Sequence, residues 1–167
     1  MPALEPGAVA PQFSLPDHHG EVHSLAECLS KGPLLLVFFK ISCPTCQYAL
    51  PFLERLYKRV AGAPVSVWAV SQDPLDRTNA FGREFGVEIL PKLFDPEVDG
   101  YTVSNSYGIT HVPTAFLIEP EGNITLTSVG WSKDDATTLG RRLGEAGGKA
   151  ALPLFESGED VLDFRPG

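Results

Sequence analysis

Two apolar-rich runs of strand length stand out in the pattern of apolar and polar positions along the chain. The first, LLLVFF, covers residues 34–39, and the second, VSVWAVS, covers residues 65–71. Such runs are typical of central strands that other elements cover on both faces. The pattern therefore predicts two buried strands within an α/β domain.

Apolar residues recur at helical spacing after each of these strands. The first helical pattern covers residues 45–62, and Pro51 within it predicts an interruption and a kink. The second pattern covers residues 73–86, with a proline in its first turn and a glycine after its end. A closing helix is predicted over residues 132–146, where a serine N-cap precedes acidic residues in the first turn.

Shorter segments complete a mixed sheet. Residues 13–25 predict two short strands around a DHHG turn, which would form an N-terminal β-hairpin extension. Residues 92–95 predict a third strand, and residues 103–108 a short helix. Residues 114–130 predict a hairpin whose turn has the sequence EPEGN. The order of elements predicts a parallel βαβ unit, an insertion after it, and a late antiparallel hairpin, flanked by helices.

Composition and charge narrow the class of protein. The 167 residues are 43% hydrophobic and 20% charged, which is ordinary for one globular domain over residues 1–167. The net charge of −8 argues against nucleic acid as a partner. The longest apolar run is too short to span a membrane, and the first residues lack a signal-peptide pattern. We therefore expect a cytoplasmic protein.

The candidate chemistry is concentrated in the segment FFKISCPTCQ, where a buried strand delivers Cys43 to the turn before a helix. Pro44 suits the first helical position, so Cys43 lies near the N-cap. Free backbone N–H groups of residues such as Thr45 and Cys46 then point toward its sulfur and favour the thiolate. Cys46 lies one turn further in, so we expect it to be more buried and to keep its proton longer.

This asymmetry suits thiol–disulfide exchange, in which the exposed thiolate attacks a disulfide and the second thiol resolves the mixed disulfide. Two other interpretations of the pair stay open. In the first, the cysteines form an inert bridge or are two ordinary thiols. In the second, they are part of a metal site, for which only His111 among four histidines offers a further ligand. We expect no metal and no other cofactor.

Two motifs together carry a family resemblance. CPTC at the strand-to-helix turn, with Pro51 five residues after Cys46, resembles the thioredoxin fold, and the segment HVPT resembles its cis-proline loop. The segments APQFSLPDHHGEVHSL, SYGITHVPTAFLIEPEGNI and VGW are similar to the redoxin or AhpC/TSA superfamily. Within it they resemble the TlpA/ResA-like branch of thiol–disulfide oxidoreductases. The resemblance covers about residues 7–145 and leaves a tail, about 146–167, that we expect on the surface as a loop.

The resemblance implies a thioredoxin-like fold and a substrate groove beside the cysteines. It implies that the peptide bond before Pro113 is cis and that Pro113 shapes the groove. The backbone of Val112 would pair with an incoming chain, and Pro44 and Thr45 are predicted to contact it as well. The implied partners are a disulfide-bearing protein or small-molecule substrate and an upstream thiol reductant.

Departures from the family pattern leave the proton chemistry open. Thioredoxins carry a tryptophan before the first cysteine and a buried aspartate on the preceding strand, where this chain has Ser42 and Val37. ResA-like proteins carry a glutamate near the end of the next strand, at a place that corresponds to about Gln72, followed by Asp73. Asp73 is either a base for the proton of Cys46 or the N-cap of the next helix.

Three further residues have two interpretations each. Lys40 either favours a thiolate nearby or is an exposed charge at the end of a strand. His111 is either a proton relay over the site or a solvated loop histidine. Cys28 is either a small buried residue or a distant resolving thiol.

The alternative function is a peroxiredoxin-like thiol peroxidase that reduces hydroperoxides. The family site uses a proline and a threonine upstream of the attacking cysteine, together with an arginine. With Cys46 as the attacking thiol, Phe39 and Cys43 would stand at the proline and threonine positions, and no arginine occurs between Arg83 and Arg141. Exchange is therefore the favoured function.

In the tail, three apolar residues either cap the core or bind a partner: Leu152, Leu154 and Phe155.

Overall fold

The structure, a computed structural model, describes residues 2–149 and 153–167. In chain order, the elements are β1 (Ser14–Pro16), β2 (Val22–Ser24), α1 (Leu25–Leu29), β3 (Leu34–Phe39), α2 (Pro44–Val60), β4 (Ser66–Ser71), α3 (Leu75–Phe85), β5 (Lys92–Phe94), α4 (Thr102–Ser106), β6 (Thr114–Ile118), β7 (Ile124–Val129), β8 (Trp131–Ser132), α5 (Lys133–Ala146) and β9 (Phe164–Arg165). A single 3₁₀ turn lies between β5 and α4. Within the described ranges, no helix is long and apolar enough to cross a lipid bilayer.

A five-stranded sheet in the order β5–β4–β3–β6–β7 forms the centre of the fold. The strands β3, β4 and β5 are parallel, whereas β6 and β7 are antiparallel to their neighbours. The predicted mixed sheet is therefore confirmed. The elements α3, β5 and α4 form the additional segment that was predicted after the first βαβ unit.

The central strand β3 divides the core into two layers. All six of its residues are buried, and their side chains alternate between the faces of the sheet. Leu34, Leu36 and Phe38 pack in a cluster with α1 and the N-terminal segment. The other three side chains pack in a second cluster with α2, α3 and α5. The uninterrupted apolar run of β3 is thus explained by burial on both sides.

The predicted N-terminal hairpin is present, with β1 and β2 paired in an antiparallel register. Asp17 holds its turn, because one carboxylate oxygen accepts the backbone N–H groups of His19 and Glu21. The other oxygen lies 2.8 Å from Nε2 of His23. Among the described residues, Asp17, Glu21 and His23 form the one group of three potential metal ligands, and this group includes neither Cys43 nor Cys46.

Helix α2 is continuous across Pro51, so the predicted interruption at this residue is wrong. The apolar face of the helix stays packed on both sides of the proline, where Leu50 and Leu56 are both buried. Glu54 lies between them and is only 4% exposed. Its carboxylate accepts three successive backbone N–H groups of residues 88–90 and ties α2 to the loop before β5.

The prediction that the tail after α5 is a surface loop is wrong. Leu154 and Val161 are buried, and β9 pairs with β8 in a two-stranded sheet. Leu154 joins the core cluster on the α2 side, and Phe155 packs its ring against Phe52 and Trp131. The prediction that these apolar residues cap the core is therefore confirmed for Leu154 and Phe155, while Leu152 lies outside the described residues.

Candidate active site

Cys43 occupies the N-cap of α2, as the sequence predicts. Its backbone is extended, Pro44 is the first helical residue, and its Sγ accepts the backbone N–H of Cys46 at 3.2 Å. The protonated Sγ also donates to the carbonyl oxygen of Val112 at 3.3 Å. The side chain of Cys43 is partly exposed. One sulfur at the start of a helix is therefore both held by backbone groups and accessible.

Cys46 is completely buried one turn further along α2, as predicted. Burial raises the pKa of its thiol far above the ordinary value, and the hydrogen bond and charge of Cys43 act in the same direction. The negative charge of Asp73 also raises this pKa, whereas the backbone N–H of Lys40 lowers it. Both cysteines are free thiols in this structure. The thiol of Cys46 therefore holds its proton and is closed to solvent, whereas the sulfur of Cys43 is accessible.

Asp73 holds the loop that carries Cys43. Its Oδ2 accepts the backbone N–H of Ile41 at 2.8 Å, and the side chain of Gln47 donates to the carbonyl oxygen of Ile41 at 3.0 Å. The predicted alternative, in which Asp73 caps the next helix, is wrong. The N-cap of α3 is Pro74, which makes no side-chain hydrogen bond there. The carboxylate instead joins the carboxyl ends of β3 and β4 next to the cysteines.

The loop before β6 forms the opposite wall of the site. The peptide bond between Val112 and Pro113 is cis, as expected from the resemblance. Pro113 is buried, and its carbonyl oxygen accepts the backbone N–H of Gly130 at 2.8 Å. The hydroxyl of Thr114 donates to the carbonyl oxygen of His111 at 2.7 Å. These bonds leave the carbonyl oxygen of Val112 directed at the sulfur of Cys43.

Of the two CPTC residues predicted to contact a substrate, Pro44 is exposed and Thr45 is not. Thr45 is 3% exposed, and its hydroxyl donates to the carbonyl oxygen of Pro166 at 2.7 Å. The tail of the same chain therefore covers Thr45 in this structure, and its contact with a substrate stays a prediction.

The remaining auxiliary candidates lie around the site rather than against its sulfurs. The side chain of Lys40 is exposed. The backbone carbonyl oxygen of Lys40 accepts the backbone N–H of Cys43 at 3.3 Å, so Lys40 contacts the site through its backbone. His111 is exposed, and its Nδ1 lies 3.0 Å from the hydroxyl of Thr110. Gln72 is half-buried in a cleft beside the N-terminal hairpin.

Sequence reasoning missed the contribution of the tail to this site. Pro166 binds Thr45, and Trp131 donates through Nε1 to the carbonyl oxygen of Leu162 at 2.6 Å. The segment VGW carries a family resemblance but no pattern that predicts a contact with the tail. The local signal that could have indicated an apolar contact at this position is a tryptophan directly before a helix N-cap.

Comparison with known proteins places these features in a family. A model of the AhpC/TSA family matches residues 6–127. The chain belongs to the AhpC/TSA family. Among the relatives of this AhpC/TSA protein, the thiol-disulfide oxidoreductase ResA of Geobacillus thermodenitrificans is 31% identical over 123 residues, which cover 73% of this chain and 68% of that protein. The predicted thiol–disulfide oxidoreductase class and the predicted TlpA/ResA-like branch are thereby confirmed.

Two solved structures confirm the thioredoxin-like fold of this AhpC/TSA protein. The thioredoxin domain of a thiol-disulfide oxidoreductase from Bacteroides vulgatus is 24% identical with a TM-score of 0.71, over 82% of this chain and 96% of that one. Peroxidoxin BcpB from Mycobacterium tuberculosis is 23% identical with a TM-score of 0.69, over 86% of this chain and 97% of that one. Because both kinds of protein have this fold, the site decides the chemistry.

Proposed function

We propose that the chain catalyses thiol–disulfide exchange through Cys43 and Cys46, with a mixed disulfide as the intermediate. The observation that supports this proposal is the difference between the two sulfurs. Cys43 is partly exposed and accepts a backbone N–H at a helix N-terminus, whereas Cys46 is 0% exposed and has a raised pKa. An N-terminal position of this kind stabilises a thiolate, which is the nucleophile in exchange.

In the proposed reaction, the thiolate of Cys43 attacks one sulfur of the substrate disulfide. The substrate S–S bond breaks, one substrate thiolate leaves, and a mixed disulfide forms at Cys43. Cys46 then gives up its proton, either to the carboxylate of Asp73 or to the leaving substrate sulfur, and its sulfur attacks the sulfur of Cys43. The second substrate thiolate leaves, so the substrate is reduced by two electrons and the cysteine pair is oxidised to a disulfide.

The oxidised pair must be reduced before the next turnover, so we propose an upstream thiol reductant as the second partner. A disulfide-bearing protein is the proposed substrate. The curated relatives named ResA are described as thiol-disulfide oxidoreductases, which supports this class of substrate. The cytoplasmic location stays a prediction.

The peroxidase alternative has less support from the site. In that alignment Cys46 would attack the hydroperoxide, but this sulfur is 0% exposed and its raised pKa keeps it protonated. A peroxidatic thiol must reach its substrate as a thiolate. The geometry of the pair therefore favours Cys43 as the attacking sulfur, and the buried thiol one turn away suits the resolution of a mixed disulfide.

The proposed function is tested by two assays on the same purified protein. With dithiothreitol as the reductant, we expect the protein to accelerate the reduction of insulin disulfides, and we expect little consumption of hydrogen peroxide. Cys28→Ser is the matched control, because Cys28 is a buried thiol that the site does not include. Rapid peroxide consumption without insulin reduction would refute the exchange function and support the alternative.

A further inference from the structure

Residues 153–167 cross α2 and reach the active site. Arg55 anchors it near its start, through a bidentate pair with Glu159 at 2.8 Å and a bond to the carbonyl oxygen of Leu154 at 3.1 Å. Further along, the backbone N–H of Leu162 donates to the hydroxyl of Tyr48 at 2.9 Å. These contacts fix the direction in which the last residues run.

Residues 164–167 then lie between the two walls of the site. Phe164 and Arg165 pair with β8. This strand begins directly after Gly130, whose backbone N–H binds Pro113 of the cis-proline loop. The approach is close, because a Cβ atom added to Gly130 would lie 2.7 Å from the carbonyl oxygen of Arg165. The hydroxyl of Thr45 binds the carbonyl oxygen of Pro166 from the helix side.

Gly167 and the sulfur of Cys43 lie against the same carbonyl oxygen. A Cβ atom added to Gly167 would lie 2.5 Å from the carbonyl oxygen of Val112 and 3.4 Å from Cβ of His111. The Sγ of Cys43 lies 3.3 Å from the same oxygen. A substrate disulfide that approaches this sulfur along the wall formed by Val112 therefore meets residue 167 first.

We propose that residues 164–167 occupy the substrate groove as an internal competitor, which a disulfide substrate must displace to reach Cys43. The proposal rests on the proposed exchange function for its effect on turnover, but the occupancy itself does not. Thr45 and Val112, two residues predicted to receive a substrate, both contact this segment.

The segment is held weakly enough to be displaced. Its pairing with β8 spans two residues, and the side chain of Phe164 is 64% exposed, so it adds little packing. By contrast, residues before it are fixed by buried Leu154 and Val161 and by the ion pair of Arg55. Short segments with few buried apolar contacts open locally while the rest of the fold stays intact. Residues 164–167 are therefore the part of the tail that opens.

A substrate binds only those molecules in which the groove is open. Its apparent affinity is therefore the intrinsic affinity multiplied by the fraction of open molecules. A chain that ends at Asp163 lacks the competitor but keeps the anchoring contacts of Arg55, Tyr48 and Trp131. We expect this truncation to raise the rate at which a bulky maleimide alkylates Cys43 about tenfold, and to raise kcat/KM for insulin disulfides by a similar factor.

Alkylation needs no turnover, so it separates this proposal from the exchange function. Faster alkylation without any insulin reduction in either protein would support the occupancy and refute the exchange function. Phe164→Ala is the matched control, because it removes an exposed side chain and keeps the backbone contacts, and we expect its alkylation rate to equal that of the unchanged chain. An unchanged rate in a truncated protein with a normal Tm would overturn the proposal.

A second variant keeps the test decisive if the truncation does not fold. Thr45→Val removes the hydroxyl that binds the carbonyl oxygen of Pro166 and nearly keeps the size of the side chain. We expect the bulky maleimide to alkylate Cys43 faster in this full-length variant than in the unchanged chain. Thr137→Val is the matched control, because its hydroxyl is exposed and binds within α5, and we expect its alkylation rate to be unchanged. Equal rates in Thr45→Val and the unchanged chain would overturn the proposal.

Discussion

The backbone N–H of Cys46 donates to the Sγ of Cys43 at 3.2 Å, so the two redox candidates are joined through the first turn of α2. The same bond that stabilises charge on the first sulfur fixes the distance to the second. Because Cys46 is buried behind Cys43, a substrate reaches only one of them. The order of the two proposed steps follows from this geometry.

The first prediction concerns the roles of the two thiols. We expect Cys43→Ser to abolish insulin reduction, because the attacking sulfur is lost. We expect Cys46→Ser to retain the attack and to accumulate mixed disulfides, because no resolving thiol remains. Non-reducing gels and intact-mass spectrometry of the protein after incubation with a disulfide substrate distinguish the two results. Normal activity in Cys43→Ser would contradict the assignment.

The second prediction separates two roles of Asp73. The Asp73→Ala variant loses the acceptor for Ile41, and we expect the free energy of unfolding to fall by about 1.5–3 kcal/mol, as for a bond to a charged group. The matched Asp73→Asn variant keeps an oxygen acceptor but removes the charge. Because that charge raises the pKa of Cys46, we expect resolution of the mixed disulfide to extend to lower pH in this variant.

Stopped-flow measurement of resolution against pH, together with urea unfolding, checks both expectations. If Asp73→Asn slows resolution at every pH, the carboxylate accepts the proton of Cys46 and does not merely position the loop.

The third prediction concerns the attachment of the tail to the domain. Leu154 is 6% exposed and packs in the core cluster beside α2 and α5. We expect Leu154→Ala to lower the free energy of unfolding by about 2–5 kcal/mol, the usual cost of emptying a buried leucine site. Leu162→Ala serves as the control, because that side chain is 45% exposed and its change costs about 0.5 kcal/mol or less. Equal effects in urea unfolding would show that the tail is not part of the folded domain.

The fourth prediction is a pH dependence of the same tail. The bidentate bonds from Arg55 lower the pKa of Glu159 from 4.5 to about 2. A carboxyl whose pKa is lowered by folding stabilises the folded state above its unfolded pKa, and the effect is lost as the pH falls through the folded value. We therefore expect the Tm difference between the unchanged chain and Glu159→Gln to be constant near neutral pH. It should shrink below pH 4.5 and vanish near pH 2.

A scan of Tm against pH for both proteins measures this difference. A gap that persists at pH 2 would show that Glu159 acts through packing and not through its charge.

The central strands and the redox pair were predictable because their causes are local. A strand covered on both faces needs apolar residues at every position, and β3 has them. A cysteine followed directly by a proline at a helix start becomes an N-cap, and Cys43 is one. The sequence therefore carried the position of the first sulfur and the burial of the second.

The environment of the pair was not predictable, because it depends on contacts between distant parts of the chain. An aspartate before a proline is typical of a helix cap, yet Asp73 binds Ile41, 32 residues away. The hydroxyl of Thr45 binds Pro166, which is separated from it by 121 positions. Neither partner has a sequence pattern of its own, since a backbone N–H or carbonyl group is present at almost every residue.

The carbonyl oxygen of Val112 has a further consequence for the site. It accepts a hydrogen bond from Cys43 only while that sulfur carries a proton. A thiolate or a disulfide sulfur offers the oxygen only lone pairs, so attraction turns into repulsion between two electron-rich atoms. The wall next to the sulfur thus opposes the thiolate that the backbone N–H of Cys46 favours, and its spacing from Cys43 depends on whether that sulfur carries a proton.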